Sequence, residues 1–158
     1  MTDLELVKKL KRSKIFRGLS DDVLSAVSAR GNQISSRPGE IIVRENQGDH
    51  PFYVILRGEV EVILPKHRNG ITRERTTPIR LSRLTSGSCI GEYSLIDGQP
   101  ASAAVVARTA CDLFVLSRKA FGELTNASDR LARQVYLNLL RYVIERARQA
   151  NKELDICF

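Results

Sequence analysis

A chain of 158 residues is long enough for one domain with a proper core and too short for two comfortable ones. Its 42% hydrophobic and 27% charged residues are ordinary for a globular protein, and no apolar run approaches the ~20 residues that a spanning helix needs. The net charge of +7 suggests nucleic acid as a partner, but the bases are spread over helices and loops, apart from one cluster at Lys66, His67, Arg68, Arg73, Arg75 and Arg80.

The chain opens with MTDLELVKKLKR, which mixes acids and bases and lacks the apolar core of a signal peptide, so a cytoplasmic protein is expected. Leu4, Val7 and Leu10, followed by Ile15 and Phe16, predict a short amphipathic helix with its lysines facing outward. A second helix is predicted to about Ala29, with Ser20 as cap, Asp21 and Asp22 in its first turn, Leu19 stapled onto Leu24, and Gly31 ending it. From Asn32 the texture changes to short strands between turn residues. Ile41 to Val43, Phe52 to Leu56 and Glu59 to Leu64 each follow a glycine-containing turn, which argues for an antiparallel barrel or roll. Alternation sets Val60 and Val62 on one face and Glu59 and Glu61 on the other.

Residues 65–78 read as a polar hairpin with Asn69-Gly70 at its tip, and a strand from Ile79 to Leu84 follows it. Next comes GEYSLIDGQPASAAVVA, from Gly91 to Ala107, with almost no bulky side chain after Ile96. Such a stretch leaves backbone N–H groups uncovered, and several of them converging in a tight turn attract an anion. Glu92 would repel a bare phosphate but suits a ligand with a hydroxyl beside the phosphate, because a carboxylate is a strong acceptor. Cys111 to Leu116 forms a further strand, and Ser117 caps a short helix.

From Ser128 onward, Leu131, Val135, Leu139, Tyr142, Val143, Ala147, Ala150 and Leu154 recur at helical steps, with Arg133, Arg141, Glu145, Arg148 and Lys152 elsewhere. Leu137, Leu140 and Ile144 widen the apolar stripe beyond what one roll covers. A helix on the order of 40 Å long is therefore expected to pair over 129–154 in a homodimer, rather than lie flat on its own roll.

The chain holds no catalytic motif, so a binding module is expected rather than an enzyme. His50 and His67 sit in hydrophilic, loop-like stretches, and Cys89, Cys111 and Cys157 have unrelated spacings, so neither a metal site nor a disulfide is expected.

The segment from Gly91 to Ala107 resembles the phosphate-binding cassette of the cyclic-nucleotide-binding domain, found in catabolite activators, protein-kinase regulatory subunits and gated channels. Gly91 and Glu92 match its opening, Leu95 its apolar anchor, and Ala103, Ala104 and Val105 its outgoing strand. The strand and turn order before the cassette is similar to the family's as well. The resemblance implies a mainly β fold, an antiparallel, jelly-roll-like β-roll at 32–116 with cassette 91–107. N-terminal helices at 1–31 and C-terminal helices at 117–158 flank it.

The resemblance also implies cAMP or cGMP as ligand, with no other cofactor. Gly91, Glu92, Tyr93, Ser94, Ala101, Ser102 and Ala103 become the candidate contact residues. Glu92 would take the ribose 2′-hydroxyl, Ser102 would be an extra phosphate donor, and long-helix residues would touch the base. Ala101 stands where the family carries its phosphate-binding arginine, which implies weakened binding unless another base, with Arg57, Arg73, Arg75 and Arg108 as candidates, takes over. Glu92 has a second role open to it, bonding the cassette's own backbone. Family transcription factors carry a helix-turn-helix domain after the long helix. This chain has no residues left for one, so no sequence-specific DNA binding is expected. A degenerate dimerisation module, or the sensory fragment of a larger regulator or channel, stays open beside the sensor.

Overall fold

The computed structural model describes residues 1–67 and 75–156. Helix α1 (Asp3–Arg12) starts at a capping box: the Thr2 hydroxyl accepts from the Glu5 N–H, and the Glu5 carboxylate accepts from the Thr2 N–H. It buries Leu6, Val7 and Leu10 and leaves Leu4 exposed, so the apolar face is turned from the predicted one. Helix α2 (Asp21–Ser28) begins at Ser20 as expected, but that side chain makes no capping hydrogen bond. Gly31 is required for packing rather than for a left-handed cap, since an added Cβ would lie 2.2 Å from the Phe114 ring.

Among the described residues, eight strands build the roll: β1 (Asn32–Ser36), β2 (Ile41–Val43), β3 (Phe52–Arg57), β4 (Glu59–Leu64), β5 (Ile79–Thr85), β6 (Cys89–Ile90), β7 (Ala104–Ala107) and β8 (Cys111–Leu116). They form two antiparallel four-stranded sheets, ordered β1-β8-β3-β6 and β2-β7-β4-β5. The predicted hairpin tip, Asn69-Gly70, lies outside the described residues, and its base is closed by the Arg75 N–H donating to the Lys66 carbonyl. Between β6 and β7 runs a short helix, α3 (Glu92–Asp97), inside the small-residue segment.

Strand β3 is buried on both faces, and its two-residue period divides it between two cores. Tyr53 and Ile55 join Val43, Val60, Val62, Ile90, Val105 and Leu113 inside the roll. Phe52, Val54 and Leu56 face outward into a second core made with the helices. Ser117 accepts from the Ala120 N–H at the start of α4 (Arg118–Ala127), and α5 (Asp129–Ile156) follows. Helix α5 enters the outer core through Leu131, Val135, Leu139 and Tyr142. Two polar groups lock it there. The Asn138 side-chain amide donates to the Ile15 and Arg17 carbonyls, and the Tyr142 hydroxyl donates to the Cys89 carbonyl while accepting from the Cys89 N–H. The mainly β roll with flanking helices is the architecture expected from the sequence.

Candidate ligand pocket

A cavity of about 160 Å³ lies between α3, the 98–105 stretch, the inner faces of β4 to β6 and helix α5. It is lined by all seven candidate contact residues: Gly91, Glu92, Tyr93, Ser94, Ala101, Ser102 and Ala103. The small side chains among them, at Gly91, Ser94, Ala101, Ser102 and Ala103, help to leave the space, as an apolar β-sheet face would otherwise be filled by side chains. Gly91 turns the chain into α3 with φ +82°, and a Cβ there would lie 2.8 Å from the Pro51 carbonyl oxygen. No other residue meets both demands.

Glu92 is 3% exposed, and its carboxylate is engaged by the Arg146 guanidinium from α5. Burial pushes the Glu92 carboxyl above its ordinary 4.5, while the positive charge of Arg146 works in the opposite direction. Arg146 is itself held between two aromatic faces, with its guanidinium carbon 5.6 Å from the Tyr93 ring centre and 5.7 Å from that of Tyr142. Helix α5 thus reaches into the cavity with a cation and occupies the Glu92 carboxylate.

The 44–50 loop forms another part of the wall. Ala101 is tied to it on both sides, donating to the Gln47 carbonyl and accepting from the Asn46 N–H. The expectation of uncovered amides therefore fails at this position, because the backbone needs a partner once it is buried. Outgoing strand β7 begins at Ala104, so Ala103 belongs to the turn before it. His50, read from sequence as a loop residue in a hydrophilic stretch, is 4% exposed and lines the cavity. Its Nδ1 bonds the Pro51 carbonyl, and its Nε2 is buried with no partner, at a cost of about 1–3 kcal/mol.

None of the described arginines put forward for the missing cassette base lies in the cavity wall. Arg57 pairs with Asp112, Arg75 with Glu45, and Arg108 with Glu61; Arg73 lies outside the described residues. The arginine that does line the cavity is Arg146, which the sequence reading passed over. Its signal was spacing: Val135, Leu139, Tyr142 and Arg146 follow one another at four-, three- and four-residue steps, one continuous face of α5. Cys89 and Cys111 are free and buried, and Cys157 lies outside the described residues. No helix among the described residues is long and apolar enough to cross a membrane.

An antiparallel roll with a small-residue turn over a cavity, and a helix reaching across it, defines a ligand-binding module. The chain belongs to the cyclic nucleotide-binding domain family, whose sequence model matches residues 33–128. It is 28% identical over 147 residues to potassium channel AKT3 of Oryza sativa subsp. japonica, a match that covers 89% of this chain and 16% of the channel. The crystal structure of a cyclic nucleotide-binding domain from Methylobacillus flagellatus KT superposes with a TM-score of 0.82 at 25% identity, covering 99% of this chain and 84% of that one. Two more distant structures share the fold. The Thermus thermophilus catabolite activator protein has a TM-score of 0.71 at 24% identity, covering 92% of this chain and 63% of its own. The regulatory domain of Toxoplasma gondii PKA, crystallised with cAMP, has a TM-score of 0.66 at 22% identity, covering 81% and 46%. The chain thus spans about a sixth of the rice channel.

Proposed function

We propose that this chain is a regulatory sensor that binds cAMP or cGMP weakly and transmits occupancy through α5. The observation that carries the reading is the buried Glu92 on the cavity wall, paired with a cation from the helix that would have to move. A buried carboxylate is costly unless it has a partner; Arg146 is that partner in the closed pocket, and a ribose hydroxyl is the one the family suggests once the helix moves away. Ser102 remains a candidate phosphate donor, and no arginine stands at position 101 to clamp the phosphate.

At about 160 Å³ the cavity is smaller than the roughly 300–1,000 Å³ of pockets that enclose a drug-sized ligand. In this reading the empty pocket is closed by α5, and a nucleotide enters only as Arg146 leaves Glu92. Binding energy is then spent on moving the helix, which couples occupancy to its geometry. The same small cavity favours a second reading, a degenerate module that binds no nucleotide and serves for association.

Association through α5 is part of both readings. Tyr136, Leu140 and Val143 line an apolar groove with Tyr93 and Ile96, and Leu137 and Ile144 are exposed nearby. A second copy of the 129–154 helix is the occupant we infer, since a two-fold partner would bring the same apolar face to it.

Isothermal titration with cAMP and cGMP tests the sensor. We expect a dissociation constant above the micromolar range for the better of the two. Replacing Ala101 with Arg should tighten it about 10- to 100-fold by restoring a charge-assisted contact. Submicromolar binding by the natural sequence would remove the importance given to Ala101, and the absence of any heat in both proteins would favour the degenerate module.

A further inference from the structure

Resting on the cyclic-nucleotide reading above, we propose that His50 is the side chain that has taken over the ligand's phosphate from the missing cassette arginine. Three independent features of the wall point to it. The ring is buried against the first cassette residue, since a Cβ on Gly91 would meet His50 Nδ1 and Cε1 at 3.1 Å. Its Nε2 has no hydrogen-bond partner, although it is sealed from water. The loop that carries it is hydrogen-bonded through both backbone groups of Ala101, the residue that lacks the guanidinium.

The hydrogen-bond chemistry defines what the free nitrogen takes. A carbonyl oxygen only accepts, so the Pro51 contact commits Nδ1 to carrying a hydrogen. The neutral ring then offers Nε2 as an acceptor, and only the imidazolium offers an Nε2–H donor. A phosphate oxygen needs the donor, so capture of an anionic phosphodiester by a neutral ring takes up one proton. Other titratable or charged groups share the cavity wall with the ring: Glu92, Tyr93 and Asp97 from α3, Cys89 from β6 and Arg146 from α5. Glu92 is already engaged by Arg146 in the closed pocket. When Arg146 withdraws, the opening that admits the nucleotide uncovers Nε2 beside the small-residue turn. His50 and Ser102 then hold the phosphate while Glu92 holds the sugar.

The test compares cAMP and cGMP titrations of the natural chain, His50→Gln and His50→Leu at about pH 6 and pH 8. The natural chain should bind more tightly at the lower pH. Both variants should bind about tenfold or more weakly there and lose most of the pH dependence. Repeating the titration of the natural chain in buffers of different ionisation enthalpy should reveal proton uptake, a readout that needs no variant to fold. Imidazole nitrogen spectra of His67→Gln, which leaves a single histidine, should show the His50 ring becoming doubly protonated on binding. Binding by the natural chain that is pH-independent, or unchanged in both folded variants, overturns the role of His50 and leaves the sensor standing. No binding by the natural chain overturns both.

Discussion

The two halves of α5 differ in what holds them. Up to Tyr142 the helix buries Leu131, Val135, Asn138, Leu139 and Tyr142 against the outer core and the N-terminal segment. Beyond Tyr142 no described side chain is fully buried, and Arg146 alone is partly covered, through its hold on Glu92. The first half is therefore fixed by packing that an occupied pocket cannot easily undo. Among the described residues, the second half is held by two ion pairs, the exposed Lys14–Glu145 and the largely buried Arg146–Glu92, and in the proposed sensor the latter competes with the nucleotide for Glu92. In the proposed sensor, a signal from the pocket would travel through that second half, because it is where a few kcal/mol suffice to change the geometry.

The contrast is sharpest in stability. Leu139→Ala should lower the unfolding free energy by about 3 kcal/mol, since it empties space in a core that cannot fully collapse. Leu154 is 58% exposed, and Leu154→Ala should change the unfolding free energy by less than about 0.5 kcal/mol. Urea unfolding of the two variants checks this. Equal costs would mean that the distal half is packed after all.

A smaller, pH-dependent effect should follow Arg146→Gln, because breaking a buried pair leaves the carboxylate uncompensated, at a cost of about 2–3 kcal/mol after allowing for the partial exposure of Arg146. Burial already raises the folded-state Glu92 carboxyl above its ordinary 4.5, and removing the opposing cation raises it further. A group whose folded value is raised binds more protons folded than unfolded, so stability falls as pH rises from about 4.5 through that folded value. The variant should therefore lose more stability between pH 5 and 7 than the natural chain, on the order of 1 kcal/mol or more. Adding Glu92→Gln should abolish the difference. Parallel pH profiles for the natural chain and Arg146→Gln would mean that the pair carries no such linkage.

The same division governs what could be read in advance. Strand positions were legible because a two-residue period and glycine turns are local signals, and β3 to β5 and β8 fall close to the expected residues. The small-residue segment was legible for the same reason. Arg146 was not, because its partner lies 54 positions away and an arginine on a long helix ordinarily faces solvent. Asn138 was passed over too: it sits on the buried face, three residues after Val135, but only the position of the Ile15 and Arg17 carbonyls gives it a reason to be there. His50 offered less still. Its flanking Asp49 and Pro51 mark a turn, and nothing in the sequence tells that the 44–50 loop folds back onto Ala101.

The smallest effect on folding belongs to the groove beside the pocket. Leu140 is 61% exposed and packs no core, so Leu140→Glu should leave monomer unfolding within about 0.5 kcal/mol of the natural chain. If a second copy covers the groove, the same substitution buries an unpaired carboxylate in each half of a symmetric interface, and the penalty counts twice. Sedimentation should then show the natural chain as a dimer that dissociates on dilution, and the variant as a monomer at the same concentrations. Apparent stability should also depend on concentration for the natural chain alone, because a dimer draws the folded state by mass action. A natural chain that stays monomeric throughout would leave the groove of Tyr136, Leu140 and Val143 without a second copy, and the proposed sensor would then have to work through α5 of a single chain.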